Sequence, residues 1–121
     1  SAGCERPGGA PVIVTFQSPA SGDVIMFGDV ARRMMEIMGK DATEKGIVTV
    51  GQLPDAIARL KAAIDEDKRK RAAEPEEARP QYEKDDRGNL RPYVSLYQRA
   101  VPLLELLEWS LKKQKPVVWG V

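Results

Sequence analysis

The first apolar positions of the chain form two short runs that favour β-strands. Pro11–Gln17 is dominated by β-branched and aromatic residues. The turn-forming residues Ser18–Gly22 separate it from a second run, Asp23–Phe27. We predict a β-hairpin from the two runs. The alternative for the second run is the start of the next helix with Asp23 as N-cap, but helical phase would then place Ile25 on the polar side.

Three longer segments have the apolar spacing of amphipathic helices. Apolar residues recur at steps of three and four within Asp29–Met38, Leu53–Ile64 and Leu103–Leu111, and charged residues occupy the opposite faces. Gly39 follows the first segment, at the place where a left-handed C-cap residue is favoured. We therefore predict three helices, each with one apolar face directed to a common core.

The sequence also indicates where the second and third helices begin. Thr49–Gln52 and Ser95–Gln98 both fit the capping box, in which a Ser or Thr precedes a Gln by three positions. Because Pro54 lacks a backbone N–H, we expect a short turn after Thr49, followed by a longer helix with Pro54 near its first position. Pro102 should kink or restart the third helix.

A final run, Val117–Val121, reads as a closing strand. With the amino-terminal hairpin it makes a small, mostly antiparallel sheet packed against three amphipathic helices, so the predicted fold class is α+β. We expect the terminal strands to meet. The expected organisation is one domain over residues 11–121, preceded at residues 1–10 by a flexible leader or an expression remnant.

The middle of the chain is rich in charges of both signs. Asp65, Glu66 and Asp67 each precede a basic residue by four positions, which supports a solvated extension of the second helix. Beyond it, residues 74–91 contain almost no large apolar side chain. Such a segment cannot offset the entropy cost of ordering by apolar burial, so we predict a charged, mobile linker there.

Composition narrows the classes of function. The 121 residues include 19 basic and 18 acidic side chains, for a net charge of +1, with one Cys and no His. These counts exclude catalytic triads that use His within the chain, zinc sites built on His or paired Cys, and an internal disulfide. We expect no cofactor, because no phosphate-binding glycine loop is present. The balanced charge disfavours nucleic-acid binding, and the lack of an apolar run near ~18 residues disfavours a membrane span, so we expect no nucleic-acid or membrane partner. The single Cys suits a reducing cytoplasm, which is the expected compartment.

Several stretches, taken in order, resemble a known family: Val14–Phe16, Asp23–Ala31, Gln52–Leu60, Gln98–Glu108 and Pro116–Gly120. The resemblance is to the bacterial family known as domain of unknown function 1840, and it covers Pro11 to Val121, including a charged, variable middle. That family would begin near Val12, so residues 1–10 depart from it. The resemblance implies a small cytoplasmic bacterial protein and supplies no activity, cofactor or catalytic residue.

Trp109 is the first candidate for a functional surface. It falls outside the leucine stripe of its helix, and an exposed Trp is a typical contact hot spot. If the closing strand lies at a sheet edge, its unpaired backbone groups can accept another strand. We therefore predict an interaction surface formed by Trp109, Lys112, Lys113, Val117 and Trp119, which binds a protein partner or a second copy of the chain.

Two further possibilities remain open. Asp23, Asp29 and Arg99 are charges within apolar motifs, and in a shared pocket they could serve a small enzyme or a small-ligand sensor. The basic run Lys68–Arg71 could contact phosphates weakly, although acidic residues on both sides neutralise it. The preferred prediction is a non-enzymatic protein-interaction or regulatory domain, because no catalytic pattern is present.

Overall fold

The computed structural model describes residues 13–121 and places them in one α+β unit. The predicted leader at residues 1–10 lies outside the described residues. In chain order the elements are β1 (Ile13–Ser18), β2 (Ser21–Phe27), α1 (Gly28–Ile37), β3 (Gly46–Val48), α2 (Leu53–Ala73), β4 (Tyr82–Lys84), β5 (Leu90–Pro92), α3 (Leu96–Lys113) and β6 (Val117–Trp119). Short 3-10 turns at Val50–Gln52 and Glu76–Ala78 complete the set.

The main sheet has four strands in the order β2-β1-β6-β3, with each neighbouring pair antiparallel. This arrangement confirms the predicted fold class, the strand assignment of Asp23–Phe27, and the meeting of the terminal strands. One expectation is corrected: β6 does not lie at an edge, because it pairs with β1 on one side and with β3 on the other. The edges of the sheet are β2 and β3.

The core lies between one face of the sheet and the helices. Alternate residues of β1, such as Val14 and Phe16, point into it. Trp119 on β6 is buried against the Phe16 ring at a centroid distance of 5.7 Å, and its indole N–H donates to the carbonyl oxygen of Thr43 at 3.0 Å. Gly46 on β3 passes so close to this indole that a Cβ there would lie 2.1 Å from the ring. Residues of β1 and β3, the two strands that flank β6, therefore both contact the Trp119 side chain.

The helix boundaries agree with the sequence signals. Gln52 accepts a hydrogen bond from the Thr49 backbone N–H at 3.0 Å, the 3-10 turn follows, and Pro54 stands in the first turn of α2. At the start of α3, Ser95 Oγ accepts from the Gln98 N–H at 3.2 Å. α3 continues through Pro102 without restarting. Of the predicted kink or restart at Pro102, the restart is therefore wrong, because packing against α2 and the sheet holds both halves in one helix. The kink stays a prediction.

The segment predicted as a linker contains a second, two-stranded sheet. Strands β4 and β5 pair antiparallel, with Glu83 opposite Arg91, and Gly88 in the connecting turn has a φ of +84°. Asp85 accepts hydrogen bonds from two backbone N–H groups within the turn, those of Arg87 and Asn89. The composition of residues 74–91 did not indicate this hairpin. The mobility of the segment stays a prediction.

Candidate functional site

Four mostly buried charged side chains from four different elements meet beside the start of α1. Arg91 of β5 donates to both carboxylate oxygens of Asp29, at 3.1 and 2.8 Å, and its Nε donates to Glu83 of β4 at 2.6 Å. The same Glu83 oxygen accepts from Arg99 of α3 at 3.2 Å. This series of alternating charges, Asp29–Arg91–Glu83–Arg99, connects the β4–β5 hairpin to α1 and α3 through ion pairs.

The electrostatics of this charged cluster favour anchoring over acid–base chemistry. Burial raises the pKa of the Asp29 carboxyl, but the hydrogen bonds and positive charge of Arg91 outweigh burial and hold that pKa below its usual value. The hydrogen bonds to Asp29 in turn raise the pKa of the Arg91 guanidinium above its ordinary value. Both groups therefore stay charged at neutral pH: Arg91 does not release a proton and Asp29 does not take one up.

The predicted trio Asp23, Asp29 and Arg99 is only partly brought together. Asp23 and Arg99 line a cavity of about 450 Å³ between β2 and α3. Asp29 and Arg99 line a separate, more polar cavity of about 390 Å³ that also contains Glu83 and Arg91. The last two residues were missed because they lie in the predicted linker. The turn-forming sequence at residues 85–89, between Tyr82 and Leu90, was the signal that could have revealed the hairpin carrying them.

The free edge of β2 carries exposed apolar side chains. Within residues 13–121, no strand pairs with the side of β2 that faces away from β1. Ile25 is 65% exposed and Phe27 is 47% exposed, and Ile13 on β1, directly opposite Phe27, is 55% exposed. The three side chains lie on the same outer face of the sheet, because strand residues alternate between faces. The three form a small apolar patch, because Ile13 lies opposite Phe27 and Ile25 is two residues from Phe27 on the same face.

Two guanidinium groups of the charged cluster flank this patch. Arg91 lies 4.8 Å and Arg99 lies 6.0 Å from the centroid of the Phe27 ring. Cations near an aromatic face are held by its quadrupole. The two guanidinium groups therefore hold the Phe27 ring in place, although the ring remains half exposed.

Trp109 lies on the flank of α3 that faces the free edge of β2. Pro102 lines the cavity beside β2, and Trp109 follows it by seven residues, two turns along the same side of the helix. The opposite flank packs on α2, where Lys61 and Glu108 form an ion pair at 3.1 Å. Trp109 is 46% exposed, with the Lys112 ammonium 5.1 Å from its ring centroid. Its predicted exposure is confirmed.

The predicted interaction surface keeps three of its five residues at the surface. Lys112 and Lys113 are exposed around Trp109, and Lys113 lies 5.7 Å from the indole centroid. Val117 and Trp119 are buried in the core, so the structure corrects their assignment to that surface. The reason is that β6 is an inner strand, and its inward side chains serve the core of this chain.

The structure thus provides a different candidate site, which we call the edge surface. Its members are Ile13, Ile25, Phe27, Pro102 and Trp109. All five are exposed: Ile25 and Phe27 lie on β2, Ile13 lies on β1 opposite Phe27, and the other two lie on the flank of α3 beside β2. The first three were not predicted as site residues, since the sequence does not show which face of these strands is covered.

Two other kinds of site find no support in the part of the chain that the structure describes. Over residues 13–121, no three Asp, Glu, Cys or His side chains are grouped so that they could hold a metal ion. None of the helices in the same range has the length and apolar character needed to cross a membrane.

The Lys68–Arg71 run is engaged within the chain. Arg69 pairs with Glu66, Arg71 donates to the Tyr93 hydroxyl at 2.9 Å, and the Lys68 ammonium lies 4.2 Å from the Tyr97 ring centroid. These contacts and the neighbouring acids leave this part of α2 without a one-sided basic face.

No curated protein and no solved structure matches the chain. The family model described as Domain of unknown function (DUF1840) matches residues 12–119, which is nearly the whole chain. A match of this extent shows the family, and the chain belongs to DUF1840.

Proposed function

We propose that this chain is a protein-interaction domain that binds its partner through the edge surface. The observation that carries the proposal is the seven-residue free edge of β2, with Ile25, Phe27 and the neighbouring Ile13 exposed together. An edge strand presents backbone N–H and C=O groups that another strand can pair with. Apolar side chains beside such groups strengthen binding when a partner covers them, because burial of apolar surface is favourable.

The two edges of the sheet differ in a way that supports this assignment. β3 has only three residues, as is common for protected edges. β2 is more than twice as long, and Asp23 is the one charged side chain on it. A long, sparsely charged, apolar edge is a liability in a free monomer and is expected where a partner binds.

Trp109 adds the kind of residue that dominates binding energies. Trp is enriched among contact hot spots, and such residues are usually surrounded by a rim that excludes water. Lys112 and Lys113 lie over its ring and supply polar rim groups. The edge surface therefore combines a strand edge, an apolar patch and an aromatic anchor.

The small-ligand alternative has weaker support. In the cavity between β2 and α3, the Arg99 guanidinium already donates to Glu83 and to the Val94 carbonyl oxygen. Asp23 and Asp29 line different cavities, so they do not form a carboxylate pair around one ligand. Among the described residues, Asp23 is then the one carboxylate in that cavity, and a single carboxylate supplies no acid–base pair for catalysis.

Site-specific photo-crosslinking in the native cell tests the proposal. A photoreactive phenylalanine analogue is placed at Ile25 or at Trp109, and at exposed Ala62 on α2 as a matched control. We expect light-dependent protein adducts from positions 25 and 109, no such adducts from position 62, and loss of the position-109 adduct when Ile25→Lys is added. Equal adducts at all three positions, or none at 25 and 109, would contradict the proposal.

A further inference from the structure

The edge surface presents a strand that can pair with a copy of itself. We propose that the partner is a second copy of this chain, and that β2 pairs antiparallel with β2 of the second copy around a two-fold axis at Ile25. The two four-stranded sheets then form one continuous sheet. This inference rests on the proposed function and adds to it the partner and the register.

The first argument is that an interface around a two-fold axis must be self-complementary. With Ile25 opposite Ile25 of the second copy, Val24 lies opposite Met26 and Asp23 lies opposite Phe27. Outward side chains then stay on the outer face, so the apolar patches of the two copies become contiguous. The inward residues Val24 and Met26 likewise continue the core of each copy across the junction.

The second argument is charge complementarity. Asp23 is exposed and forms no ion pair with any residue in the range 13–121. In the proposed register it faces Phe27 of the second copy, whose ring is flanked by Arg91 and Arg99. Side chains directly opposite each other in antiparallel strands have Cβ atoms roughly 4.5–5.5 Å apart. Within residues 13–121, Arg91 uses three and Arg99 uses two of the five N–H donors of a guanidinium group. Each Asp23 therefore meets guanidinium groups with unused donors, and the two-fold axis makes this contact twice.

Neighbouring registers lose this match. A shift of the axis to Val24 places Asp23 opposite Ile25, and a shift to Met26 carries Asp23 past Phe27 to the start of α1. The axis at Ile25 is the register that aligns the anionic residue of one strand with the cation-flanked residue of the other. Opposite charges across an interface select register more than they add affinity.

The helix layer is compatible with the same axis. Pro102 of α3 lines the cavity beside the centre of β2, so the α3 helices of the two copies run antiparallel on either side of the axis. Glu105 and Arg99 each lie three residues from Pro102, in opposite directions, and the axis therefore brings Glu105 of one copy toward Arg99 of the other.

The register is tested with cysteines in a Cys4→Ser background. Ile25→Cys places two thiols opposite each other at the axis, with Cα atoms within the separation that a disulfide accepts. Ile47→Cys, on the exposed face of β3, is the matched control. Under mild oxidation we expect the position-25 variant to form a disulfide-linked dimer rapidly and the position-47 variant to form no covalent dimer. Crosslinking of position 47 as fast as position 25 overturns the register.

The partner is tested by sedimentation velocity on the full chain over a micromolar concentration range. We expect a dimer, and we expect Ile25→Lys or Asp23→Lys to weaken association by about tenfold or more while circular dichroism stays unchanged, because lysines on an edge oppose strand pairing. A monomer throughout overturns the second-copy proposal. If the chain is a monomer and position 25 still crosslinks to a different protein in the cell, the proposed function stands alone. If position 25 yields no adduct of any kind, both fail.

Discussion

Asp29 and Arg91 are 62 positions apart in the sequence and form the best-aligned ion pair of the described residues, with two hydrogen bonds of 3.1 and 2.8 Å. Fork-like pairing of a guanidinium with a carboxylate is stronger than a single hydrogen bond and restricts orientation. Glu83 accepts from the Nε–H of Arg91 and links it to Arg99. At the residue scale the cluster holds separate elements together. Removing Arg91 leaves Asp29, and removing Glu83 leaves Arg99, partly buried without its counter-charge in the cluster.

We expect Asp29→Asn to lower the free energy of unfolding by about 2 kcal/mol at neutral pH, because hydrogen bonds to charged groups contribute about that much. Asp55→Asn is the control, since its pair with Arg59 is exposed and such pairs contribute little. Urea denaturation of both variants measures the difference. Equal, small effects of the two substitutions would show that the cluster does not stabilise the fold.

The same pair predicts a dependence on pH. The pKa of Asp29 is lower in the folded chain than its usual value of 3.8, so the unfolded state binds more protons near that pH. The stability that Asp29 contributes is therefore present above pH 3.8 and is lost as pH falls through the folded-state pKa. The difference in the free energy of unfolding between wild type and Asp29→Asn should therefore decrease when the urea denaturation is repeated at acid pH.

At the element scale, the β4–β5 hairpin obtains its order from polar contacts. Arg91 and Glu83 connect it to α1 and α3, Asp86 pairs with Arg32, and the Tyr93 N–H donates to the Gln81 carbonyl oxygen at 3.0 Å. Tyr82 and Leu90 remain exposed, so apolar burial contributes little. A hairpin of this kind depends on the elements it is fastened to, because short isolated hairpins are marginally stable.

Replacing residues 82–91 with a Gly/Ser segment of equal length tests whether this hairpin stabilises the domain. We expect the melting temperature to fall by about 5 °C or more, since the replacement removes the partners of Asp29 and Arg99. The fall in melting temperature caused by the replacement should not be additive with that caused by Asp29→Asn, because both changes break the same interaction. An unchanged melting temperature would instead favour the mobile linker predicted from composition.

At the scale of the whole molecule, charge is balanced both in total and locally. The net charge is +1, and the strongest basic run, Lys68–Arg71, lies among acids and contacts Tyr93 and Tyr97. Long-range attraction of a polyanion needs a field of one sign over an extended surface. The edge surface differs in being mostly apolar, which suits a protein partner better than a nucleic acid.

We accordingly expect labelled single- and double-stranded DNA to bind with a dissociation constant weaker than about 1 μM at physiological salt, within the non-specific range. A Glu66→Lys, Glu74→Lys variant is the control, because it removes acids that neutralise the basic run and should bind more tightly. Fluorescence anisotropy measures both proteins. Submicromolar binding by the wild type would instead support the nucleic-acid alternative.

The local signals in the sequence succeeded where a structure depends on neighbouring residues. Gly39 adopts a φ of +84° as its position after α1 predicts, and Ser95–Gln98 caps α3. The candidate site was predicted less well. The exposure of Trp109 follows from helical phase, but Ile25 and Phe27 could not be recognised as surface residues, because alternation alone does not say which face of a strand is covered.

By itself, the sequence determined the amino-terminal hairpin, the three helices and their caps, the closing strand and the fold class, since apolar periodicity and turn residues act over a few positions. It did not predict β3 or the β4–β5 hairpin, whose short strands are defined by their pairing. Only the tertiary structure decided which strand lies inside the sheet. Val117–Trp119 has the composition of either an edge or a centre, and it became an inner strand because β1 and β3 both pair with it. The same strand order left β2 at the edge of the sheet. Tertiary packing also brought Arg91 to Asp29 and placed Trp109 beside β2. These outcomes depend on contacts between residues far apart in the chain, which no local pattern encodes.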